Sequence, residues 1–205
     1  MMPDKGIAAT VYEVSIQNEC TDVKYPQIRL ANHTVQEKIN DQIKEQLLYL
    51  FPGEGCEVYQ TILGTYKIGV NRDSVLSVVL DMGTYIKEAA NGRDEQKVSD
   101  MTSDLATGKE FYFFELFKPG SYFKGRIDQI ILNQIQEQHV AIISAYPGVT
   151  DYQEYYLTES ALVVYFQELV FTPHSSGIPE FTIPYAQIAD IVRTDPIGRL
   201  TATGR

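Results

Sequence analysis

The sequence predicts an α+β fold: a mostly antiparallel sheet with two main helices packed on it, arranged as two intertwined subdomains. Three observations carry this. Short apolar runs bounded by turn residues outnumber stretches with helical periodicity. Only two long stretches place apolar residues on one helical face. The strand-like runs follow one another with few crossover helices between them, which is the order of an antiparallel α+β fold and not of a doubly wound one.

Residues 1–8 read as a flexible tail. The first strand signal is Val11, Tyr12, Val14 and Ile16, before the polar Gln17-Asn18-Glu19. Val23, Tyr25, Ile28 and Leu30 form a second extended piece, and Pro26, which has no ladder donor, places it at an edge or a strand end. The first helix opens at Thr34-x-x-Glu37, the form of a capping box. Val35, Ile39, Ile43, Leu47 and Leu50 make its apolar stripe, and Pro52-Gly53 ends it. Two alternating strands follow across the turn Asn71-Arg72-Asp73, with one covered and one wetter face. Asn91-Gly92 is a tight-turn dipeptide. Residues 96–105 read as a further strand, and Thr107-Gly108-Lys109 as the turn that leads into 110–114.

The second helix begins near Pro119-Gly120-Ser121, with Phe123, Ile127, Ile130, Ile131 and Ile135 as its stripe. Residues 144–151 are a loop. Then comes the stretch on which the second half is built, residues 152–185. Its two Tyr- and Val-rich runs flank Thr158-Glu159-Ser160, a hairpin turn. The second run is apolar in both phases of a period-2 reading, with Leu162, Val164 and Phe166 on one side and Val163, Tyr165 and Leu169 on the other, so it belongs mid-sheet. Ile188, Ile191 and Val192 have helical spacing over one or two turns, and 193–205 read as a flexible tail. The expected division is 9–110 and 111–192.

The chain has 205 residues, 17 basic and 27 acidic, for a net charge of −10. That balance argues against nucleic acid and an anionic membrane as partners, since both require basic patches. It suits a basic partner through steering. No run approaches the ~18 apolar residues of a membrane helix, and the start has no secretory h-region. The chain therefore reads as cytoplasmic, or as a mature portion whose leader has been removed. Cys20 and Cys56 would pair in an oxidising compartment and remain thiols in the cytoplasm.

Motifs for chemistry are sparse. Lys109 is followed by Glu110, and a strand rather than a helix follows Thr107-Gly108-Lys109, so it is a turn and not a phosphate loop. His33, His139 and His174 share no metal-ligand spacing with each other or with the cysteines. Ser175-Ser176-Gly177 lacks a nucleophile elbow. No catalytic residue, metal site or cofactor is predicted. The candidate binding residues are Tyr155, Tyr156 and Tyr165 on the hairpin, and His174, Gly177 and Glu180 on the rigid loop after it. Glu154, Glu159, Glu168 and Glu180 cluster around the same hairpin; two of them facing one cleft would suit glycan hydrolysis.

Several segments carry a family resemblance. Phe113-Phe114-Glu115-Leu116-Phe117, Tyr155-Tyr156-Leu157-Thr158, Leu162-Val163-Val164-Tyr165-Phe166, Gly177-Ile178-Pro179-Glu180-Phe181 and Ile183-Pro184-Tyr185 resemble the RsiV-type domain of unknown function. Tyr25-Pro26-Gln27-Ile28, Ile39-Asn40, Val75-Leu76-Ser77-Val78 and Asp104-Leu105-Ala106-Thr107-Gly108-Lys109 resemble its PdaC-type N-terminal companion. Where that family often has Ala-His-Gly, this chain has Ala90-Asn91-Gly92. The resemblance implies an extracytoplasmic module of the Gram-positive cell envelope, as in peptidoglycan deacetylases and anti-sigma factors. It carries over no catalytic residue. The expected function is a non-catalytic module recognising peptidoglycan or a basic cell-wall-active protein, without membrane insertion. The alternatives are a wall-glycan hydrolase using the hairpin carboxylates, and a leaderless cytoplasmic protein.

Overall fold

A computed structural model describes residues 6–86 and 95–201. The fold is α+β, and its sheets are mostly antiparallel. The chain divides into two compact units, Met1–Lys109 and Glu110–Arg205. Each is one continuous stretch of chain.

The first unit is a five-stranded sheet in the order β1 (Thr10–Gln17), β2 (Thr21–Arg29), β3 (Tyr59–Arg72), β4 (Val75–Ile86), β5 (Glu95–Asp104). The helix α1 (His33–Leu50) connects β2 to β3. That crossover makes β2 and β3 parallel, and they pair only over Thr21–Val23 with Ile62–Gly64. The approach is close: a Cβ on Gly64 would lie 2.6 Å from a Val23 methyl carbon, so this position requires glycine. Beyond Val23 the β3 side of β2 has no strand partner, and Pro26 falls in that part of the strand, as a missing N–H demands.

The helix fills that gap. Buried Asn40 accepts the Ile28 N–H at 2.8 Å through Oδ1 and donates Nδ2 to the Ile28 carbonyl at 3.0 Å. One side chain thus replaces two ladder bonds. The predicted stripe of Val35, Ile39, Ile43, Leu47 and Leu50 is buried and shares a core with Leu76, Val78, Leu80 and Met82 of β4 and Met101 of β5. The cap differs from the sequence reading. Asn32, not Thr34, caps the helix, accepting the Val35 N–H at 3.3 Å.

The β3–β4 turn lies one residue later than predicted. Asp73 and Ser74 both have positive φ, 51° and 61°, the two-residue turn whose twist matches its strands. β4 is also more deeply buried than its predicted wet face allows: Val75, Ser77 and Val79 are buried as well as the core face. The predicted turn at Asn91-Gly92 lies outside the described residues. The predicted flexible start is partly tied down: Ile7 bonds Ser74 through both its N–H and its carbonyl. Cys20 and Cys56 form a disulfide with a Cα separation of 5.4 Å.

The second unit holds a three-stranded antiparallel sheet, β6 (Tyr155–Leu157), β7 (Ala161–Tyr165) and β8 (Glu180–Pro184), in that order. β7 is the centre, and all five of its residues are buried. The helix α2 (Phe123–Glu137) packs on β8, where Gln134 donates to the Thr182 carbonyl at 2.8 Å. Asp128 of α2 accepts the Tyr146 hydroxyl at 2.9 Å and the Val149 N–H at 2.8 Å, pinning the loop before the hairpin. The apolar run past Tyr165 is not strand, since Leu169 has φ 65° and turns outward. Residues 193–201, read as part of a flexible tail, hold two buried side chains, Ile197 and Leu200, the latter in the helical turn Arg199–Thr201.

Asn40→Ala leaves two buried backbone groups unsatisfied and should destabilise the first unit by about 2–4 kcal/mol; a change in urea midpoint within error would refute this role. Replacing Cys20 and Cys56 by serine removes a cross-link over a sequence separation of 36. The expected loss is about 3–4 kcal/mol, read as a lower thermal midpoint that reductant also produces in the parent protein and not in the variant.

Candidate functional site

The hairpin tyrosines are not a surface. Tyr155, Tyr156 and Tyr165 are 2%, 4% and 0% exposed. The cause is the central position of their sheet, which is covered on both faces. Two of their hydroxyls are satisfied internally: Tyr155 donates to the Phe111 carbonyl, and Tyr156 to Glu180 Oε2 at 3.0 Å. Burial, with the Glu180 carboxylate alongside, pushes the Tyr156 phenol above its ordinary range. These three residues serve packing and present no binding face.

The loop residues have structural tasks as well. His174 opens a 3₁₀ turn, His174–Ser176, and its Nδ1 lies 2.9 Å from Glu168 Oε2, whose side chain is nearly buried. Gly177 closes that turn at φ 65°, ψ −150°, a conformation open essentially to glycine alone, and its N–H bonds the His174 carbonyl. Glu180 accepts from Tyr156. Three of the hairpin acids are therefore engaged: Glu154 with Gln167, Glu168 with His174, Glu180 with Tyr156. Among the described residues no three His, Cys, Asp or Glu side chains cluster as metal ligands.

The exposed aromatic face lies elsewhere in the second unit. Tyr112 and Phe114 flank buried Phe113 at the start of a 3₁₀ turn, Phe113–Leu116, and so point outward. Their rings stack at 6.4 Å with planes 7° apart. Tyr152 meets both edge-on, at 5.6 and 5.7 Å. The three residues are 49%, 39% and 71% exposed. A backbone bond from the Phe114 N–H to the Asp151 carbonyl, 3.0 Å, joins the two distant segments. The Tyr112 N–H bonds Glu115 Oε2 at 3.1 Å and fixes the entry to the turn.

Beside these rings is an open cleft of about 470 Å³, a size ordinary for small-molecule sites. Phe117 and Phe123 contribute to its lining, stacked at 4.5 Å with planes 5° apart. Phe114 and Tyr152 form an aromatic side, and Lys118 and Arg193 a cationic one. An antiparallel bridge between Phe117 and Val192 holds the two cations, with the Lys118 N–H bonding the Ile191 carbonyl and the Arg193 N–H the Leu116 carbonyl, each at 2.8 Å. The one carboxylate in the lining, Asp151, pairs with Lys124 at 2.9 Å.

The sequence reading passed over this cleft. It took 110–114 as a strand lead-in and Arg193 as tail. The available signal was the Tyr112-Phe113-Phe114 triplet just before Pro119-Gly120, too many aromatics for one buried face.

Glu154 tests the hairpin. Burial raises its pKa, partly opposed by the Gln167 hydrogen bond. A carboxyl titrating higher folded than unfolded favours folding below its unfolded pKa and loses that contribution as pH rises through the folded value. Glu154→Gln should thus gain stability relative to the parent as pH rises from about 4, near the unfolded carboxyl value, to about 7; a urea-midpoint difference independent of pH would contradict the assignment.

The fold has solved counterparts. A member of the DUF3298 family from Bacteroides fragilis NCTC 9343 superposes with TM-score 0.69 at 10% identity, over 98% of this chain and 100% of that one. A DUF3298 family protein from Pseudomonas aeruginosa PAO1 superposes with TM-score 0.61 at 14% identity, over 98% of this chain and 96% of that one. These likenesses concern the fold. No curated protein matches the sequence. Residues 115–186, which include α2, the three-stranded sheet and much of the aromatic cleft, match the model of a family described as Protein of unknown function (DUF3298).

Proposed function

We propose that this protein is a non-catalytic binding module of the bacterial cell envelope that recognises peptidoglycan glycan through the aromatic cleft of its second unit. One observation carries the reading: three exposed rings, Tyr112, Phe114 and Tyr152, stand together beside an open cleft. Exposed ring faces carry negative quadrupole potential. The C–H bonds of a sugar ring present a weakly positive, flat partner to such a face, while tyrosine hydroxyls meet its polar edge.

Further support comes from two sides. The Cys20–Cys56 disulfide fits an oxidising, extracytoplasmic setting. The resemblance to RsiV- and PdaC-type modules points to the same compartment. The engaged hairpin carboxylates and the single acid of the cleft, Asp151, favour binding over glycan hydrolysis, which takes two facing carboxyls. A basic cell-wall-active protein is a second reading, favoured by the net charge of −10.

Co-sedimentation with insoluble peptidoglycan at low and high salt tests the first reading. Pelleting should persist at high salt, and Tyr152→Ala should weaken it about two- to tenfold, the worth of one aromatic contact. Pelleting that ignores loss of both Tyr112 and Tyr152 would remove the cleft from the mechanism. Absence of pelleting at either salt would turn the reading to the basic protein partner.

A further inference from the structure

The charge of the cleft runs against that of the chain. The whole molecule carries −10, yet the charged side chains lining the cleft are Lys118, Arg193 and Asp151. Asp151 is neutralised by Lys124 at 2.9 Å. The Lys118 ammonium donates to a backbone carbonyl, that of Asp190, at 2.8 Å, which leaves its charge uncompensated by that contact. Among the described residues no carboxylate pairs with the guanidinium of Arg193, which is exposed. A neutral sugar leaves the charge of these two cations unmatched, and in a chain of net charge −10 a cationic cleft favours a small anion over a large polyanion, which the chain as a whole repels.

We propose that the cleft takes an acidic sugar, a glycan residue bearing a carboxylate, with its ring against Tyr152 and Phe114 and its carboxylate on Arg193, assisted by Lys118. This rests on the reading of the cleft as a glycan site and specifies its ligand. The guanidinium matches a planar carboxylate with two parallel hydrogen bonds. The bridge between Phe117 and Val192 sets Arg193 and Lys118 on adjoining segments, so backbone bonds bring the roots of both side chains to the same side of the cleft, and the Lys118 ammonium is held by the Asp190 carbonyl. An acidic peptide offers the same charge. It lacks the flat C–H face that the three clustered rings match.

The test is a calorimetric titration of the full chain with trigalacturonate, with neutral chitotriose and with triglutamate. Trigalacturonate should bind at least tenfold more tightly than chitotriose. Arg193→Ala should weaken trigalacturonate binding about tenfold or more and chitotriose binding far less, whereas Tyr152→Ala should weaken both alike. The side chain of Arg193 is exposed and its backbone bond survives substitution, and Arg193→Lys, keeping charge without the fork, should recover part of the affinity. Chitotriose binding as tightly as trigalacturonate, or trigalacturonate binding indifferent to Arg193→Ala, would overturn the acidic-sugar assignment and leave the glycan reading standing. Triglutamate binding as tightly as trigalacturonate and indifferent to Tyr152→Ala would overturn both in favour of an acidic peptide. Binding of none of the three would overturn both.

Discussion

Five consecutive buried residues, Ala161–Tyr165, leave the middle strand of the second unit without a polar face. The rest of that unit answers this constraint. Both faces of a three-stranded sheet have to be covered, so α2 packs on β8 and the aromatic segment around Phe113 packs against Tyr155. Once Phe113 turns inward, the short 3₁₀ turn leaves Tyr112 and Phe114 on the outside. The exposed rings are thus a by-product of a covered sheet, anchored by buried Phe113 packed on Phe117, Phe123 and Tyr155.

The first unit solves a different problem. Its α1 crossover forces one parallel pairing into an otherwise antiparallel sheet, and the pairing ends after Val23. Past Val23 the backbone groups on that side of β2 would be buried and unpaired. Asn40 bonds both polar groups of Ile28, so one helical side chain acts as a strand edge. Elsewhere along the buried stripe of α1 packing needs only apolar volume; at Asn40 it needs an amide.

The cleft in the second unit combines two kinds of fixed geometry. Its aromatic side depends on one backbone bond, Phe114 N–H to the Asp151 carbonyl, and its cationic side on the bridge at Phe117 and Val192. Both fix the backbone from which the lining side chains extend. That is the arrangement expected of a binding surface formed before its ligand arrives. The hairpin acids, by contrast, are tied into hydrogen bonds that shape loops, as with His174, Gly177 and Glu168.

Local pattern was enough for the sequence to determine the elements. The helix stripes, the hairpin turn at Thr158-Glu159-Ser160 and the strand character of Leu162 to Tyr165 follow from periodicities of 3.6 and 2 and from turn chemistry, all set by near neighbours. The turn at Thr107-Gly108-Lys109 was legible for the same reason, and Asp104 accepts the N–H groups of Ala106 and Thr107 there. Which tyrosines face water was decided by tertiary structure alone. Tyr155 and Tyr152 are three residues apart with the same propensities, and only the covering of the sheet buries the first and leaves the second exposed. The cleft was illegible for a related reason: Phe114, Tyr152 and Arg193 come from three distant segments, and non-local backbone bonds bring them together.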